Sequence, residues 1–571
     1  MISMSGGAAL LRLLVPERVP FVFGVAGGKL VQFMRALSEE SSIRYVGTRH
    51  EAAAGHMAAA VYAATGRMAV AIGEVGPGAG NLLSSVASAF NNNLPMLAIT
   101  SNNQQFASYP NRGMFMELDT AAVFRPVTKW NAVVHDARRL PELVRTAFRE
   151  ALTGCPGPVH LDVPQDVLNR VYEFDEAVFS VSPARYRLTR SAGADTAQIE
   201  AALELLLSAR RPLIVAGGGV SAANAAPELR ELIAKLRAPA SATQMGIGSV
   251  SSDAENFIGH GGVIGGPAIP AAFREADVIL AVGCRFSSWL WDDQGPMVRS
   301  DQRLIHVNTD PSVIGRGADV ELGIVGDAKA VLAQLVDAIG ERRSASEDAW
   351  TRKLVGLYRE YRQTLASLAA TVRGAGEPMH PAALAAAIGA ALPRDSLVTY
   401  DGGHTSFWSN DLTPAREPRT RFHEPGMAQL GFGLPSALAL KLAWPERPVF
   451  NITGDGAFGF SLSELDTARR YKLNVVNIVH NNSAWGVIRA GQQRNQFELG
   501  CDLSGTEYAQ IAAGFGCFGE VVSSLDQFPQ ALERAMQSGL PAVLDCRVSF
   551  EPHPSFGAFG KMSSVGMTPG H

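Results

Sequence analysis

The most constraining feature of the chain is an alternation that runs almost its whole length. Short apolar runs lie at 68–73 (MAVAIG), 95–100 (PMLAIT), 157–163 (GPVHLDV), 277–282 (DVILAV) and 447–452 (RPVFNI). Between them, helical stretches fall at 51–64, 142–153, 197–208, 225–236, 329–340, 461–471 and 525–538. A strand covered on both faces reads as an unbroken apolar run, and parallel strands need a crossover helix between them. The pattern therefore predicts an α/β fold with helices on both faces of parallel sheets. The alternation lapses twice. Residues 168–195 are polar, and at 341–378 the charged run ERRSASEDAWTRK leads into a solvated helix and then GAGEP. These lapses predict three doubly wound parallel-sheet domains at 1–175, 190–345 and 375–550, with a glycine- and proline-containing tail at 551–571. A chain of 571 residues accommodates three domains of ordinary size. No fixed-period repeat is visible, which argues against a solenoid.

Composition removes several function classes. The formal net charge is −4, so no basic field exists to attract nucleic acid or an anionic membrane surface. No uncharged apolar stretch reaches about 18 residues, and no membrane span is expected. The five cysteines are scattered without a CxxC pair, which excludes a zinc ribbon and argues against a disulfide scaffold. The first residues lack a charged start and a cleavage site. A reducing cytoplasm is the expected location.

The strongest chemical signal is RPVFNITGDGAFGFSLSELDTARRYKLNVVNIVHNNSAWG at 447–486. An apolar strand runs into Gly454-Asp455-Gly456, a helix follows, and a second apolar strand ends in Asn481-Asn482. Both strand ends fall at one edge of a parallel sheet, where such folds bind ligands. Two oxygen-bearing side chains there suit a hard cation such as Mg²⁺, which is typically held by one or two carboxylates plus substrate phosphates. Gly456 and Ala457 open a helix, where backbone N–H groups favour phosphate. Taken singly, GDG is also an ordinary turn before a helix, and Asn-Asn an ordinary turn after a strand.

With this pairing the chain resembles enzymes dependent on thiamine diphosphate, specifically the acetolactate synthase, pyruvate oxidase and benzaldehyde lyase group. The resemblance covers essentially residues 1–550. It implies pyrimidine-binding, central nucleotide-fold and diphosphate-binding domains in that order. It implies Mg²⁺ held by Asp455, Asn482 and the carbonyl of Ala484, with Trp485 and Gly486 in the same turn. In RHEAAAGHMA at 49–58, Glu51 takes the place of the acid that hydrogen-bonds N1′ of the aminopyrimidine. A glutamate opening a helix is otherwise explained by the helix dipole, and a zincin HExxH is excluded because position 54 is alanine. GEVGPGAGN at 73–81 is similar to the family's GPGATN loop, with Gly80 in place of threonine. Asp401-Gly402-Gly403-His404-Thr405 matches the diphosphate loop, making Gly403, His404 and Thr405 expected contacts. In HEPGMAQLGFG at 423–433, the carbonyl of Ala428 is expected to accept from the 4′-amino group, and Leu430 to support a bent coenzyme. Leu430 is equally readable as core. Ala457 stands where many relatives have serine, and His480 where an apolar residue is common.

In the middle domain, Gly217-Gly218-Gly219 fits either FAD binding or close helix–sheet packing; FAD is possible but not favoured. On the acceptor side, Trp289 stands where acetolactate synthases carry an arginine for a second 2-oxo acid. Lys29 and Met116 stand at the active-site histidine and glutamine of benzaldehyde lyase. Gly27, Gly28, Lys29, Phe115, Met116 and Trp289 are therefore expected around an acceptor pocket that is roomy and largely apolar. The implied activity joins a 2-oxo acid, pyruvate foremost, to an aldehyde or ketone, giving a 2-hydroxy ketone. A benzaldehyde lyase-like C–C lyase, a simple 2-oxo acid decarboxylase and a flavin-dependent oxidoreductase are the alternatives. The active site is expected between two chains, Glu51 from one and Asp455, Asn482 and Leu430 from the other. That makes a homodimer the minimum and a homotetramer the expected assembly.

Overall fold

The computed structural model describes residues 1–108, 110–189, 192–292, 295–374 and 378–563. The boundaries expected at 190 and 375, and 564–571 of the expected tail, lie outside the described residues. Three six-stranded sheets carry the chain, as the alternation predicts. The first contains β1 (Phe21–Gly24), β2 (Arg44–Gly47), β3 (Val70–Gly73), β4 (Leu97–Asn102), β5 (Trp130–Val133) and β6 (Val159–Pro164). Its order is β2-β1-β3-β4-β6-β5, and every neighbouring pair is parallel. The second contains β7 (Pro212–Ala216), β8 (Ala240–Ala242), β9 (Phe257–His260), β10 (Val278–Val282), β11 (Arg303–Asn308) and β12 (Leu322–Val325), in the parallel order β9-β8-β7-β10-β11-β12. The third contains β13 (Leu397–Asp401), β14 (Arg421–Phe422), β15 (Val449–Gly454), β16 (Val476–Asn481), β17 (Phe518–Val522) and β18 (Ala542–Arg547). Its parallel order, β14-β13-β15-β16-β18-β17, repeats that of the first sheet.

The chain divides into two compact units. One joins residues 1–190 with 424–446 and 460–475; the other joins 191–423, 447–459 and 476–571. In the first unit, helix α1 (Glu51–Thr65) packs on helix α4 (Gly433–Ala443). Both are built largely from alanine, leucine and glycine and are buried almost all round, which explains why neither shows a polar stripe. Residues Ile2–Ser5 pair antiparallel with Val171–Phe174, a ribbon the sequence pattern does not announce.

In the second unit, alternate residues of the middle sheet enter opposite cores. Ile214, Leu280 and Ile305 join one apolar cluster; Leu213, Ile279 and Leu304 join the other. That is the double cover expected of a strand with period-two side chains. The helix expected from 461 starts at Glu464, because 461–463 form a turn before it. The middle glycines have a packing explanation. A Cβ on Gly217 would lie 2.1 Å from the carbonyl oxygen of Gly283, and one on Gly219 would lie 2.6 Å from the Cα of Gly283. The β7 and β10 loops therefore meet backbone to backbone. Among the described residues no helix is long and apolar enough to cross a membrane.

A pair of substitutions tests this packing. Gly217→Ala should lower unfolding stability by about 1–3 kcal/mol through overpacking. Gly356→Ala, at a helical position where a Cβ meets nothing within 4 Å, should raise it by about 0.5–1 kcal/mol. Denaturant titration of the two variants checks both signs.

Candidate functional site

The expected site residues fall into two groups, one on each unit. In the second unit the group sits at the carboxyl ends of three neighbouring strands, β13, β15 and β16. Strand β13 leads into Gly402, at φ +93°, and then into helix α3 (His404–Leu412). Strand β15 leads into the short helix α5 (Asp455–Gly459). Strand β16 leads into the 482–485 turn and helix α7 (Gly486–Arg494). A Cβ on Gly403 would lie 2.0 Å from Val487, one on Gly456 would lie 2.5 Å from the Trp485 ring, and one on Gly454 would lie 3.3 Å from the Thr405 hydroxyl. A Cβ on Gly402 would come within 3.6 Å of Ala457. These loops pack closely only because the glycines lack side chains.

Asp455 is 3% exposed. Its Oδ1 accepts from the Gly456 N–H at 2.8 Å. The N–H groups of Asn482, Ser483 and Ala484 also face the carboxylate, but burial outweighs them and raises its pKa to about 6. Its Oδ2 is buried with no hydrogen-bond partner. The turn opposite is held from behind: the Trp485 N–H donates to the Cys501 carbonyl at 2.9 Å, and the Leu503 N–H to the Ser483 carbonyl at 2.8 Å. The two asparagines divide their work. Asn481 points into the fold, donating to Asp545 at 2.8 Å. Asn482 caps its own turn, its Oδ1 accepting from the Ala484 N–H at 3.2 Å.

His404 Nδ1 accepts from the His553 N–H at 3.4 Å, and burial lowers the ring's pKa to about 3. The ring is therefore neutral with its proton on Nε2, and that buried Nε2 has no partner. A Cβ on Gly486 would lie 3.4 Å from the His404 ring and 3.7 Å from Asn482 Nδ2, so these two side chains border one space. His480 is also buried and neutral, with its pKa lowered to about 4 and both ring nitrogens unpartnered. Trp289 stacks on Phe559 of helix α8 (Phe556–Ser563) at 5.8 Å.

A buried anionic oxygen without a donor favours a cation, and a buried N–H without an acceptor favours an anion. Side by side at strand ends, they fit a metal–diphosphate group. Among the described residues no group of three His, Cys, Asp or Glu side chains could hold a metal. A cation here would rest on one carboxylate, an amide and backbone or phosphate oxygens, which is the chemistry of Mg²⁺ rather than of zinc.

In the first unit, the loops after β2, β1 and β3, again neighbouring strands, carry the second group. Glu51 is the first residue of α1, capped by His50, whose Nδ1 accepts from the Ala52 N–H at 3.1 Å. Asn81 Nδ2 donates to Glu51 Oε2 at 3.0 Å. A Cβ on Gly78 would lie 3.2 Å from Glu51 Oε1, so the glycine loop leaves that oxygen room. A side chain at Gly80 would meet nothing within 4 Å, so the departure from threonine there leaves the loop intact.

Ala428 adopts φ +55°, a left-handed conformation that ordinarily favours glycine, and Leu430 is half-buried. Glu424 shapes their turn. Its carboxylate is buried and accepts from the Met427 N–H at 2.9 Å, from the Gln429 N–H and from Asn92. Burial raises its pKa. Gly27, Gly28 and Lys29 are fixed by Glu74, whose Oε1 accepts from the Lys29 N–H at 3.0 Å; a Cβ on Gly27 would lie 2.1 Å from its Oε2. The Lys29 ammonium lies 5.9 Å over the ring of Phe115, which is 80% exposed. Met116 adopts φ +62°, and its carbonyl oxygen would lie 2.6 Å from a Cβ on Gly76.

Three acids were missed by sequence reasoning: Glu74, Glu424 and Glu464. Glu464, which opens helix α6 (Glu464–Tyr471), is fully buried and accepts from the Arg49 N–H at 3.0 Å and the His50 N–H at 3.1 Å. Burial raises its pKa to about 7.

Comparison with known proteins gives a consistent assignment. Residues 4–123 match the thiamine pyrophosphate enzyme N-terminal TPP-binding domain, residues 199–335 the central domain, and residues 401–546 the C-terminal TPP-binding domain. The chain is 30% identical to a probable acetolactate synthase large subunit of Methanococcus aeolicus, over 95% of this chain and 92% of the relative. It is 31% identical to a probable acetolactate synthase large subunit of Methanocaldococcus jannaschii, over 95% and 91%. It is 30% identical to the acetolactate synthase isozyme 1 large subunit of Escherichia coli, over 96% and 94%.

Glu464 also sets a pH dependence. Its folded pKa lies above the ordinary value of 4.5, so between about 4.5 and 7 the folded chain binds more protons than the unfolded chain. This contribution therefore favours the fold at low pH and is lost as pH rises through about 7. Its span is on the order of 3 kcal/mol. The apoprotein's pH 8 stability, relative to pH 5, should rise in Glu464→Gln by part of that amount, measured by denaturant titration at both pH values.

Proposed function

The chain belongs to the thiamine pyrophosphate enzyme family, in the acetolactate synthase group of carbon–carbon bond-forming enzymes, and on that premise we propose that it is a thiamine diphosphate- and Mg²⁺-dependent carboligase. Its donor is a 2-oxo acid, pyruvate foremost, its acceptor an aldehyde or ketone, and its product a 2-hydroxy ketone. The observation that carries this reading is the pairing of two unsatisfied buried atoms, Asp455 Oδ2 and His404 Nε2, at neighbouring strand ends.

When bound, the coenzyme supplies the electron sink for loss of CO₂ and for formation of the new carbon–carbon bond. The chain's residues bind, orient and handle protons. Asp455, Asn482 and the Ala484 carbonyl hold Mg²⁺. His404 would donate through Nε2 to the diphosphate, with backbone donors from Gly403, Thr405, Ala457 and Gly486; Gly454, Gly456 and Trp485 complete the walls. The Ala428 carbonyl accepts from the pyrimidine amino group, and Leu430 gives apolar support. Glu51 carries the proton: Asn81 fixes one of its oxygens, leaving Oε1 beside Gly78 for the pyrimidine nitrogen. Gly27, Gly28, Lys29, Phe115, Met116 and Trp289 contact the acceptor.

The same reading takes 1–175, 190–345 and 375–550 as the pyrimidine-binding, central and diphosphate-binding domains. It makes the protein a cytoplasmic homodimer at least, and a homotetramer as the working assembly.

Glu51→Gln should lower kcat by about 10²- to 10⁴-fold while coenzyme affinity changes little, read by steady-state kinetics and calorimetry. Asp455→Ala should abolish Mg²⁺-dependent coenzyme binding in the same calorimeter. Incubation with pyruvate, with and without an aldehyde, separates ligation from decarboxylation by the mass of the product. Carbon dioxide release without a ligated product in every mixture would overturn the carboligase assignment.

A further inference from the structure

We propose that Glu464 is a positioning residue for Glu51, acting through the backbone of the strand–helix junction that presents it. The inference rests on the reading of Glu51 as the proton-carrying acid. Residues 48–50 connect β2 to α1. The Thr48 N–H still donates to the Gly24 carbonyl at 3.0 Å, and helix α6 meets peptide groups on either side of it. The Gly47 N–H donates to the Tyr471 hydroxyl at 2.7 Å, and the Gly47 carbonyl accepts from Arg470 Nη2 at 2.7 Å. The Arg49 and His50 N–H groups both donate to Glu464 Oε1, at 3.0 and 3.1 Å. Outside these, the Arg49 guanidinium lies 3.6 Å from Asp466. The next residue is Glu51.

The choice of a carboxylate at this place has a physical reason. Two N–H groups converge on one point, and a single carboxylate oxygen can accept from both. Its other oxygen accepts from the Thr467 hydroxyl at 2.6 Å. An apolar side chain would take away the acceptor that both N–H groups share. An amide is a poor substitute, since its NH₂ group brings two donors of its own into a donor-lined site. Glu464 is 0% exposed and meets N–H and O–H donors, so its buried carboxyl group locks the junction as a shared acceptor. A lock on the two residues before Glu51 fixes where α1 begins, and so where the Glu51 carboxyl is carried.

Backbone exchange in the apoprotein tests the lock without the coenzyme. In Glu464→Gln, the Arg49 and His50 amides should exchange hydrogen at least about tenfold faster, while core amides of β4 stay protected. In the loaded enzyme, kcat should fall about 10- to 100-fold, with the KM for the 2-oxo acid and the coenzyme Kd within about threefold. Glu464→Asp, which keeps the charge, should recover part of the lost kcat. Unchanged exchange at 49 and 50, or an unchanged kcat, would overturn the proposal. If Glu464→Gln does not fold, Tyr471→Phe removes one acceptor from the same junction. It should raise Gly47 exchange and lower kcat by about threefold, and no change in either would again overturn the proposal. The two failures stay distinct: full turnover in Glu51→Gln sinks the role of Glu51, whereas loss of turnover there with normal Glu464→Gln sinks the lock alone.

Discussion

A carboxylate removed from water is unfavourable unless donors replace the lost solvent, and this chain removes three of them at the loops that matter. Asp455, Glu424 and Glu464 are each almost fully buried. Each is met mainly by backbone N–H groups from its own loop or from the loop it organises. In every case burial still pushes the pKa upward, so the donors only partly offset the lost hydration. Loops at the ends of parallel strands have N–H groups that no ladder satisfies, and a short acid of the right reach gathers several at once. Glu424 shapes the turn bearing Ala428 and Leu430, Glu464 the junction bearing Glu51, and Asp455 faces the turn after Asn482. Of the three, Asp455 alone keeps an unpartnered oxygen, and that difference separates it from two carboxylates spent wholly on the chain's own donors.

Topology decides where such loops gather. The first and third sheets share one strand order, and in both the candidate site residues leave the carboxyl ends of adjacent strands. Strands β2, β1 and β3 deliver Glu51, the Gly27–Lys29 turn and the glycine loop. Strands β13, β15 and β16 deliver Gly403–Thr405, Asp455 and Asn482. The middle sheet has a different order, β9-β8-β7-β10-β11-β12, the arrangement of dinucleotide folds. Its glycines at 217 and 219 are consumed by backbone contact with Gly283, so their presence follows from packing alone.

What the sequence made legible is what local pattern encodes. Apolar runs and helical periods mark the three sheets, and the Gly454-Asp455-Gly456 turn with Asn482 is readable because strand, turn and helix are contiguous. The antiparallel ribbon of Ile2–Ser5 with Val171–Phe174 was not legible, since two short half-exposed strands far apart in sequence carry no shared pattern. Glu464 was equally hidden. In sequence it is an acid in the first turn of a helix, explained by the helix dipole, and only its contact with residues more than four hundred positions away shows a buried acceptor. Ala428 shows the reverse limit: the structure holds an alanine in a left-handed turn, a strain that composition cannot reveal and that Glu424 offsets by fixing the turn.

The loop after β1 follows the same logic of backbone capture, with charge added. Glu74 fills the space that any side chain at 27 would need and holds the Lys29 N–H, so the glycine at 27 and the acid at 74 require each other. The Lys29 ammonium lies 5.9 Å over the face of Phe115, where it meets a π-system. The turn that reads as apolar from its glycines therefore carries a cation, and the acid that anchors its backbone comes from the end of the neighbouring strand β3. Glu74 fixes the backbone from which that cation extends.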